Sequence, residues 1–376
     1  MNRLELERLS VRGLRVLSRV DMEPAPRLNV VWGNNGHGKT SVLEAIYFAA
    51  TSKSFRTSRV GELVRHGETA ASVKARFVER GDVLPALARE QTAAVQGKSV
   101  TVRIDGNRPR ALVEYATRSP VVVFHPEELT LSSGPAQGRR TLLDRLALFT
   151  RPESADARAR YAHALKARQE LLRRGADIPS SDTRELDAFE ELCAEHGAAL
   201  TRARAAAAEL LVVELASAFA QIAAPDLRLT ARYAPGGSAD VETARAELFR
   251  GRKRDAFRAS AGFGPHRDEL ELMLDGHPAR IVASQGQHRA LTLALKAAET
   301  ATIAKERGIE PLLLLDDVSS ELDPERTGAL FSFLALHRGQ IFLTTTRPEL
   351  IRAEDIPAEG RRDFRVFRGE LDEGAG

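Results

Sequence analysis

A chain of 376 residues with 43% hydrophobic content can bury one large core or two moderate ones, which excludes a disordered polymer. Its single cysteine, Cys193, excludes an intramolecular disulfide framework and cysteine-rich zinc sites, and packing is its expected role. The net charge of +3, with arginine far outnumbering lysine, permits phosphate-backbone binding without requiring it; no basic-then-apolar leader and no apolar run near the ~20 residues of a membrane span is evident, so a soluble cytoplasmic protein is expected.

Leu4, Leu6, Leu9 and Val11, then residues 16–22, predict two short strands with Gly13 in the turn between them. Residues 28–32 predict a buried strand and 40–50 a helix. Between them Gly33-Asn34-Asn35-Gly36-His37-Gly38-Lys39-Thr40, followed by Ser41, fits G-x-x-x-x-G-K-[ST], the phosphate loop of nucleoside-triphosphate-binding proteins. A strand-to-helix turn of this kind converges backbone N–H groups on phosphate. Lys39 is expected to hold the β and γ phosphates of ATP, and Thr40 to offer a hydroxyl to Mg²⁺. Gly33 and Gly38 permit a backbone approach that a Cβ would block. Trp32 either contacts a nucleotide base or packs under the loop.

Strand-like runs follow at 72–78, 83–89, 99–104 ahead of the turn 105–107, and 121–124. Glycine and proline then become sparse from Arg139 to Ala224. Apolar or small residues recur there at Leu186, Phe189, Cys193, His196, Leu200, Ala203, Ala207 and Leu210, in helical steps of three and four. A hairpin is expected at 175–183, and arms cut from this segment reach roughly 50 Å at most. His196 is expected to be a core histidine. After Pro225 come strand-like 227–233, a helix near 241–252 and strand-like 270–274. Alternation follows: helix 287–305, strand 311–315, helix 324–336 and strand 340–344, the order of a parallel α/β sheet. The expected domains are a discontinuous head, 1–138 with 225–376, and a helical insertion, 139–224, that extends to about 260 at most.

The second half of a nucleotide site is legible in the last third. Leu312 to Leu315 lead into Asp316-Asp317, four apolar residues and an acid that deliver a carboxylate to Mg²⁺ at a strand's C-terminal end. Asp316 is the expected metal ligand and Asp317 the general base that orients or deprotonates water. Ser284-Gln285-Gly286-Gln287 opens a helix with a hydroxyl and free N–H groups suited to a γ-phosphate, although a simple N-cap would look the same. Ser319 to Asp323 follow the acidic pair, and Phe342-Leu343-Thr344-Thr345-Thr346 closes the series.

In this order the motifs resemble the ATP-binding-cassette ATPases of the SMC class, and more closely the RecF family. Stretches that generic cassettes lack carry the second resemblance: Ser54-Phe55-Arg56-Thr57, Phe124-His125-Pro126-Glu127-Glu128-Leu129, the segment from Arg139-Arg140 to Asp144, Gly264-Pro265-His266-Arg267-Asp268-Glu269, and 314–323. It runs from the first strand to about Phe367. Glu269 stands where another aspartate is expected, a change that keeps the charge.

The resemblance implies an ABC-type ATPase head, a phosphate-loop mixed sheet plus an antiparallel β subdomain, with an inserted α-helical arm domain. It implies ATP sandwiched between two copies, with the phosphate loop and Asp316 of one facing Ser284, Gly286, Gln287 and Asp323 of the other. Thr345, where transporters place a histidine, is assigned γ-phosphate sensing. Slow, DNA-dependent hydrolysis would release a dimer clamped on duplex or single-strand/duplex junction DNA in repair and replication-gap processing. RecR and RecO, and RecA indirectly, are the expected partners. Candidate phosphate contacts are Arg56, Arg59, Arg65, Arg139, Arg140, Arg173 and Arg174. The rival readings are a transporter's nucleotide-binding subunit, disfavoured by Thr345 and the long insertion, and an SMC- or OLD-type ATPase, disfavoured by short arms and lack of room for a nuclease domain. A GTPase lacks its Asn/Thr-Lys-x-Asp motif here.

Overall fold

The computed structural model describes residues 2–81, 85–174, 183–222, 227–317, 334, 337–351 and 358–373. The chain divides into two compact units: Met1–Leu129 with Ala220–Ala223 and Leu293–Gly376, and Thr130–Phe219 with Ala224–Thr292. The expected division placed the first boundary at 138 and returned the chain to the head at 225, or at about 260 with the insertion extended, whereas these units part at Leu129 and Thr292. Composition registers helices but not which sheet a short strand joins, and strands after residue 225 form a sheet of their own inside the second unit.

The first unit holds two six-stranded sheets. In the antiparallel one, β1 (Asn2–Leu14) lies between β2 (Leu17–Met22) and β4 (Ala70–Arg80), which continues through β5 (Leu87–Gln96) to β6 (Ser99–Ile104). The other is mixed, and its strands are β3 (Leu28–Trp32), β7 (Val121–Phe124), β12 (Leu312–Leu315), β13 (Ile341–Thr345), β14 (Arg361–Phe367) and β15 (Glu370–Glu373). Its order is β15-β14-β3-β13-β12-β7, parallel throughout except for the β14–β15 hairpin. The short β11 (Ile309–Glu310) runs parallel to β1. Alternating apolar residues of both sheets close over α1 (Lys39–Thr51): Leu4, Leu6 and Phe77 from one, Val31, Phe342 and Phe364 from the other, with Val42, Ile46 and Phe48 between them. The expected strand 83–89 begins instead at Leu87 and runs to Gln96, and α2 (Leu112–Arg118) and the β14–β15 hairpin were not anticipated.

The second unit is built from α3 (Thr130–Ser133), α4 (Ala136–Thr150), α5 (Ser154–Arg174), α6 (Arg184–Ile222) and α7 (Val241–Arg258), with the sheet β10-β9-β8 of His277–Pro278, Glu269–Leu274 and Leu229–Ala234. Residues 175–182 of the expected hairpin lie outside the described residues, as does most of the expected helix 324–336. Helix α8 (Ala279–Val282) precedes α9 (Gln285–Arg307), in which the division between the units falls.

The stripe read on α6 is real. Cys193, Leu200, Ala203 and Ala207 are buried, whereas His196 is only half-buried. Burial pushes the Cys193 thiol up to about 12, so it packs as a small apolar group with no thiolate at neutral pH. Two expectations are corrected at this helix. With 39 residues, α6 spans about 58 Å, more than the 50 Å allowed. It is also long and apolar enough, by length and composition, to cross a membrane. Alanine contributes much of its hydropathy, and 28% of the apolar stretch is buried among the described residues.

Buried ion pairs stitch these helices together. Arg168, fully buried, donates to Glu190 on α6 (3.0 Å) and to Asp255 on α7 (2.8 Å). Arg204 grips both oxygens of Asp144 (2.8 and 3.1 Å) on α4 and reaches Asp268 (2.9 Å) and the Pro265 carbonyl (2.6 Å). Asp268 also accepts from the Tyr233 hydroxyl and the Gly236 N–H, so the Pro-His-Arg-Asp stretch serves as the junction of α4, α6 and β8.

Candidate nucleotide site

Strand β3 delivers the chain into the loop 33–38, and α1 leaves it. Helix α1 starts from Gly38 in the left-handed region (φ 115°), with no side-chain cap and no acid in its first turn. Its first N–H groups and positive dipole end are therefore offered to an anion. Lys39 Nζ is drawn over the loop, donating to the carbonyls of Gly33 (2.8 Å) and Asn34 (3.2 Å) and to Asn35 Oδ1 (3.2 Å). Burial pulls its pKa below the ordinary ammonium value, while Asp317 and Asp316 push the other way.

The glycines do a job that the motif alone did not reveal. A Cβ on Gly33 (φ 150°) would lie 2.4 Å from the Val366 carbonyl, and one on Gly38 2.9 Å from Val16 Cγ2. Both positions are thus required by the close approach of β14 and of the β1–β2 turn. The loop is tied to the same hairpin elsewhere: the His37 carbonyl accepts from Gly369 N (3.0 Å), and its ring meets Phe367 edge-on at 5.1 Å. Trp32, half-buried, carries the Arg365 guanidinium over its ring at 5.4 Å.

Two strands away, β12 ends at Asp316, whose N–H continues the ladder to the Phe124 carbonyl (2.8 Å). Asp316 Oδ1 accepts from Thr40 Oγ1 (2.9 Å) and from Thr344 Oγ1 (2.7 Å), and Thr344 accepts in turn from Asp317 N (2.8 Å). Burial holds the Asp316 carboxyl above the usual range, against the two hydroxyl bonds. A hydroxyl and a carboxylate oxygen 2.9 Å apart beside the loop suit Mg²⁺, a hard cation that takes one or two protein oxygens and fills its shell with phosphate and water. Asp317 stands in the left-handed region (φ 48°), a conformation that costs about 1 kcal/mol or more in a non-glycine residue and turns the chain sharply after the strand.

Thr344 was missed by sequence reasoning. Register pairs Thr344 with Val31 and Thr345 with Trp32, so alternation puts the two threonines on opposite sheet faces, and only Thr344 reaches Asp316. The Thr345 hydroxyl accepts from Arg347 N (2.9 Å). Glu44 was also missed. Fully buried on α1, it accepts from Arg15 at 2.9 and 2.8 Å, from the Ser54 hydroxyl and from Arg56. Phe55 packs between Tyr47 (5.6 Å) and His125 (5.3 Å), which brings together two of the family-like stretches. Burial holds the His125 imidazole below its ordinary pKa.

In the other unit, Ser284 caps α9. Its N–H donates to Gln287 Oε1 (2.7 Å) and its hydroxyl accepts from Gln287 N (3.3 Å), a reciprocal capping box with Gly286 inside the first turn. Asp323 lies outside the described residues, as does the side chain of Arg174.

Among the arginines expected to touch DNA, Arg139 is corrected. It is 4% exposed, forked onto Glu269 (2.6 and 2.8 Å) and bonded to the Leu131 and Gly134 carbonyls, so it holds α4 to β9 and has no free donor face. Arg140 is half-buried and donates to the Asp268 carbonyl (2.8 Å). Arg56, Arg59, Arg65 and Arg173 are more exposed, each 3.4–3.8 Å from a glutamate.

Comparison with known proteins fits this geometry. The family profile described as the RecF/RecN/SMC N terminal domain matches residues 5–359. A "DNA replication and repair protein RecF" of Anaeromyxobacter sp. (strain Fw109-5) is 40% identical over 367 residues, 95% of each chain. That of Myxococcus xanthus (strain DK1622) is 38% identical, covering 93% of this chain and 92% of its own. A solved structure of "the recombination mediator protein RecF-ATPrS in RecFOR pathway" superposes with a TM-score of 0.86 at 26% identity, over 99% of both chains. The Smc head domain of Pyrococcus furiosus shares the fold, with a TM-score of 0.54 at 15% identity.

Proposed function

This chain belongs to the RecF/RecN/SMC family, and from that premise we propose that it is a cytoplasmic ATPase of recombinational repair and replication-gap processing that binds DNA as an ATP-dependent dimer. The observation that carries the nucleotide half is the convergence of Thr40, Thr344 and Asp316 beside an uncapped helix N-terminus and Lys39. The relatives' names, DNA replication and repair and a recombination mediator of the RecFOR pathway, support the rest, with RecR and RecO as mediators; RecA, as an indirect partner, follows from the family resemblance alone.

In this reading the loop N–H groups and Lys39 hold the β and γ phosphates, and Thr40 and Asp316 would hold Mg²⁺, which would supply neutralisation of the charge on the phosphoryl oxygens. Asp317 orients the attacking water. Its side chain is shorter than a glutamate's and holds water less closely, so turnover is slow. Asp317→Asn should lower ATPase kcat by about 10²-fold with KM for ATP little changed, measured by phosphate release. Wild-type turnover in that variant would remove Asp317 from the role.

The second half of each pocket comes from the Ser284 turn of another copy. ATP then stabilises the closed pair because it binds the assembled state better than the separated one, and hydrolysis removes that bias. Mixing Lys39→Ala with Ser284→Arg tests the sharing. Each variant alone should fail to dimerise with ATP in sedimentation, and the mixture should recover one intact composite site and a measurable ATPase. No recovery would mean that one chain completes its own pocket.

A further inference from the structure

Strand β9 is paired along its whole length on one side and for only two residues on the other. Toward β8 its register runs from Leu229↔Leu274 to Ala234↔Glu269, whereas β10 meets only Leu274 and Met273. Pro278 brings no N–H to the ladder, and from Ala279 the chain turns into α8, so β10 stops there. The edge of β9 over residues 269–272 is left without a strand among the described residues.

Alternation decides which groups this edge presents. The Asp275 N–H donates to the Arg228 carbonyl (2.9 Å), one step beyond the Leu229↔Leu274 pair. Residues 269, 271 and 273 therefore turn their N–H and C=O groups toward β8, and 270, 272 and 274 turn theirs away from it. Leu274 is met by His277 in the hairpin, and Leu270 N donates to the carboxylate of its neighbour Glu269 (2.8 Å). The N–H and C=O of Leu272, a residue only 7% exposed, have no hydrogen-bond partner on that side among the described residues. Buried backbone groups are seldom left so.

A cavity of about 300 Å³ lies beside them, with residues 269–273 as one wall and Ser132, Arg139, Pro278 and Arg280 around it. Its charges are matched except for one. Arg139 forks onto Glu269 and Arg232 pairs with Glu271, but Arg280 is exposed and makes no ion pair among the described residues.

We propose that an extended peptide segment of a partner protein binds here, adding a strand beside β9 in line with β10 and setting an acidic side chain on Arg280. The bare edge takes extended backbone, the cavity takes alternate side chains of that backbone, and the lone guanidinium takes a carboxylate. At ~3.4 Å per residue the edge is about 14 Å long, enough for four residues of added strand. A nucleic acid has no N–H and C=O groups at strand spacing, and its phosphates would find a single free cation. None of these residues belongs to the nucleotide pocket, so binding requires no ATP.

Labelled octapeptides alternating valine and threonine, each with one aspartate at a different position, test this on the full chain by fluorescence anisotropy and amide hydrogen exchange. One aspartate position should bind at least about 10-fold better than the others, and that peptide should slow exchange at Leu272 while leaving Leu274 unchanged. N-methylation of its alternate nitrogens should abolish binding in one phase and spare it in the other. Arg280→Glu should weaken binding about 10-fold, and lysine in place of the aspartate should recover it. Lys39→Ala should bind the peptide as wild type does, so that loss of the nucleotide site and loss of the groove are read separately. The proposal is overturned if no peptide protects Leu272 at about 1 mM, if both methylation phases act alike, or if Arg280→Glu binds as tightly as wild type. Self-association that protects Leu272 would give the edge to a second copy, and protection by oligo-dT would give it to nucleic acid; either result overturns the partner segment.

Discussion

Lys39→Ala is expected to lower ATPase kcat by about 10²–10³-fold and to abolish ATP-dependent dimerisation while leaving the fold intact. The ammonium is held only by neutral oxygens, those of Gly33, Asn34 and Asn35, so its charge is left for the phosphates. Burial already works against that charge. Alanine is a better helix former than lysine at the first position of α1 and leaves the glycine contacts of the loop alone, so the loss is chemical rather than structural. Lys39→Arg should fail as well, because the acceptors surround a compact ammonium and a planar guanidinium cannot occupy the same point. Steady-state phosphate release and sedimentation with ATP measure the two effects. Activity above about a tenth of wild type in Lys39→Ala would show that the loop backbone suffices.

The largest stability effect is expected at Arg204. Its side chain is 6% exposed and its partners Asp144 and Asp268 are 10% and 0% exposed. Arg204→Met removes the cation and leaves two buried carboxylates facing each other's field. Breaking a buried pair in this way costs about 3–5 kcal/mol, whereas an exposed pair is worth about 0–1 kcal/mol. For a unit of this size the melting temperature should fall by roughly 10–15 °C. Arg232→Ala is the matched control, since the Arg232–Glu271 pair is 77% and 39% exposed and its loss should shift the transition by only a degree or two. Calorimetry on both variants separates the cases. Equal shifts would mean that the Pro-His-Arg-Asp junction carries no special load.

What the sequence disclosed depended on how local the cause was. The phosphate loop and the apolar strand before Asp316 are each set by a few neighbouring residues and are present in the structure where they were expected, and the Ser284 turn opens α9 as expected, with its hydroxyl engaged as the helix cap. The bond from Thr344 to Asp316 was not local. In a run of three threonines the facing is fixed by register with β3, and a slip of one residue exchanges the faces. Arg139 failed for a related reason: an arginine early in an alanine- and leucine-rich helix reads as surface, and only its distance in sequence from Glu269, 130 residues on, hides the ion pair that buries it. Glu44 is a third case, because an acid within the apolar face of α1 makes sense only once Arg15, Ser54 and Arg56 converge on it.

The place of β3 between β13 and β14 bears on how the protein is made. The phosphate loop is synthesised early, yet the strands on either side of it and the carbonyl that packs on Gly33 belong to residues 341–367. At 5–20 residues per second, roughly half a minute separates the emergence of Lys39 from that of its supports. Throughout that interval the nascent chain carries an apolar strand without neighbours and a loop unable to grip nucleotide. Until residues 341–367 emerge, that strand is open to association with other chains.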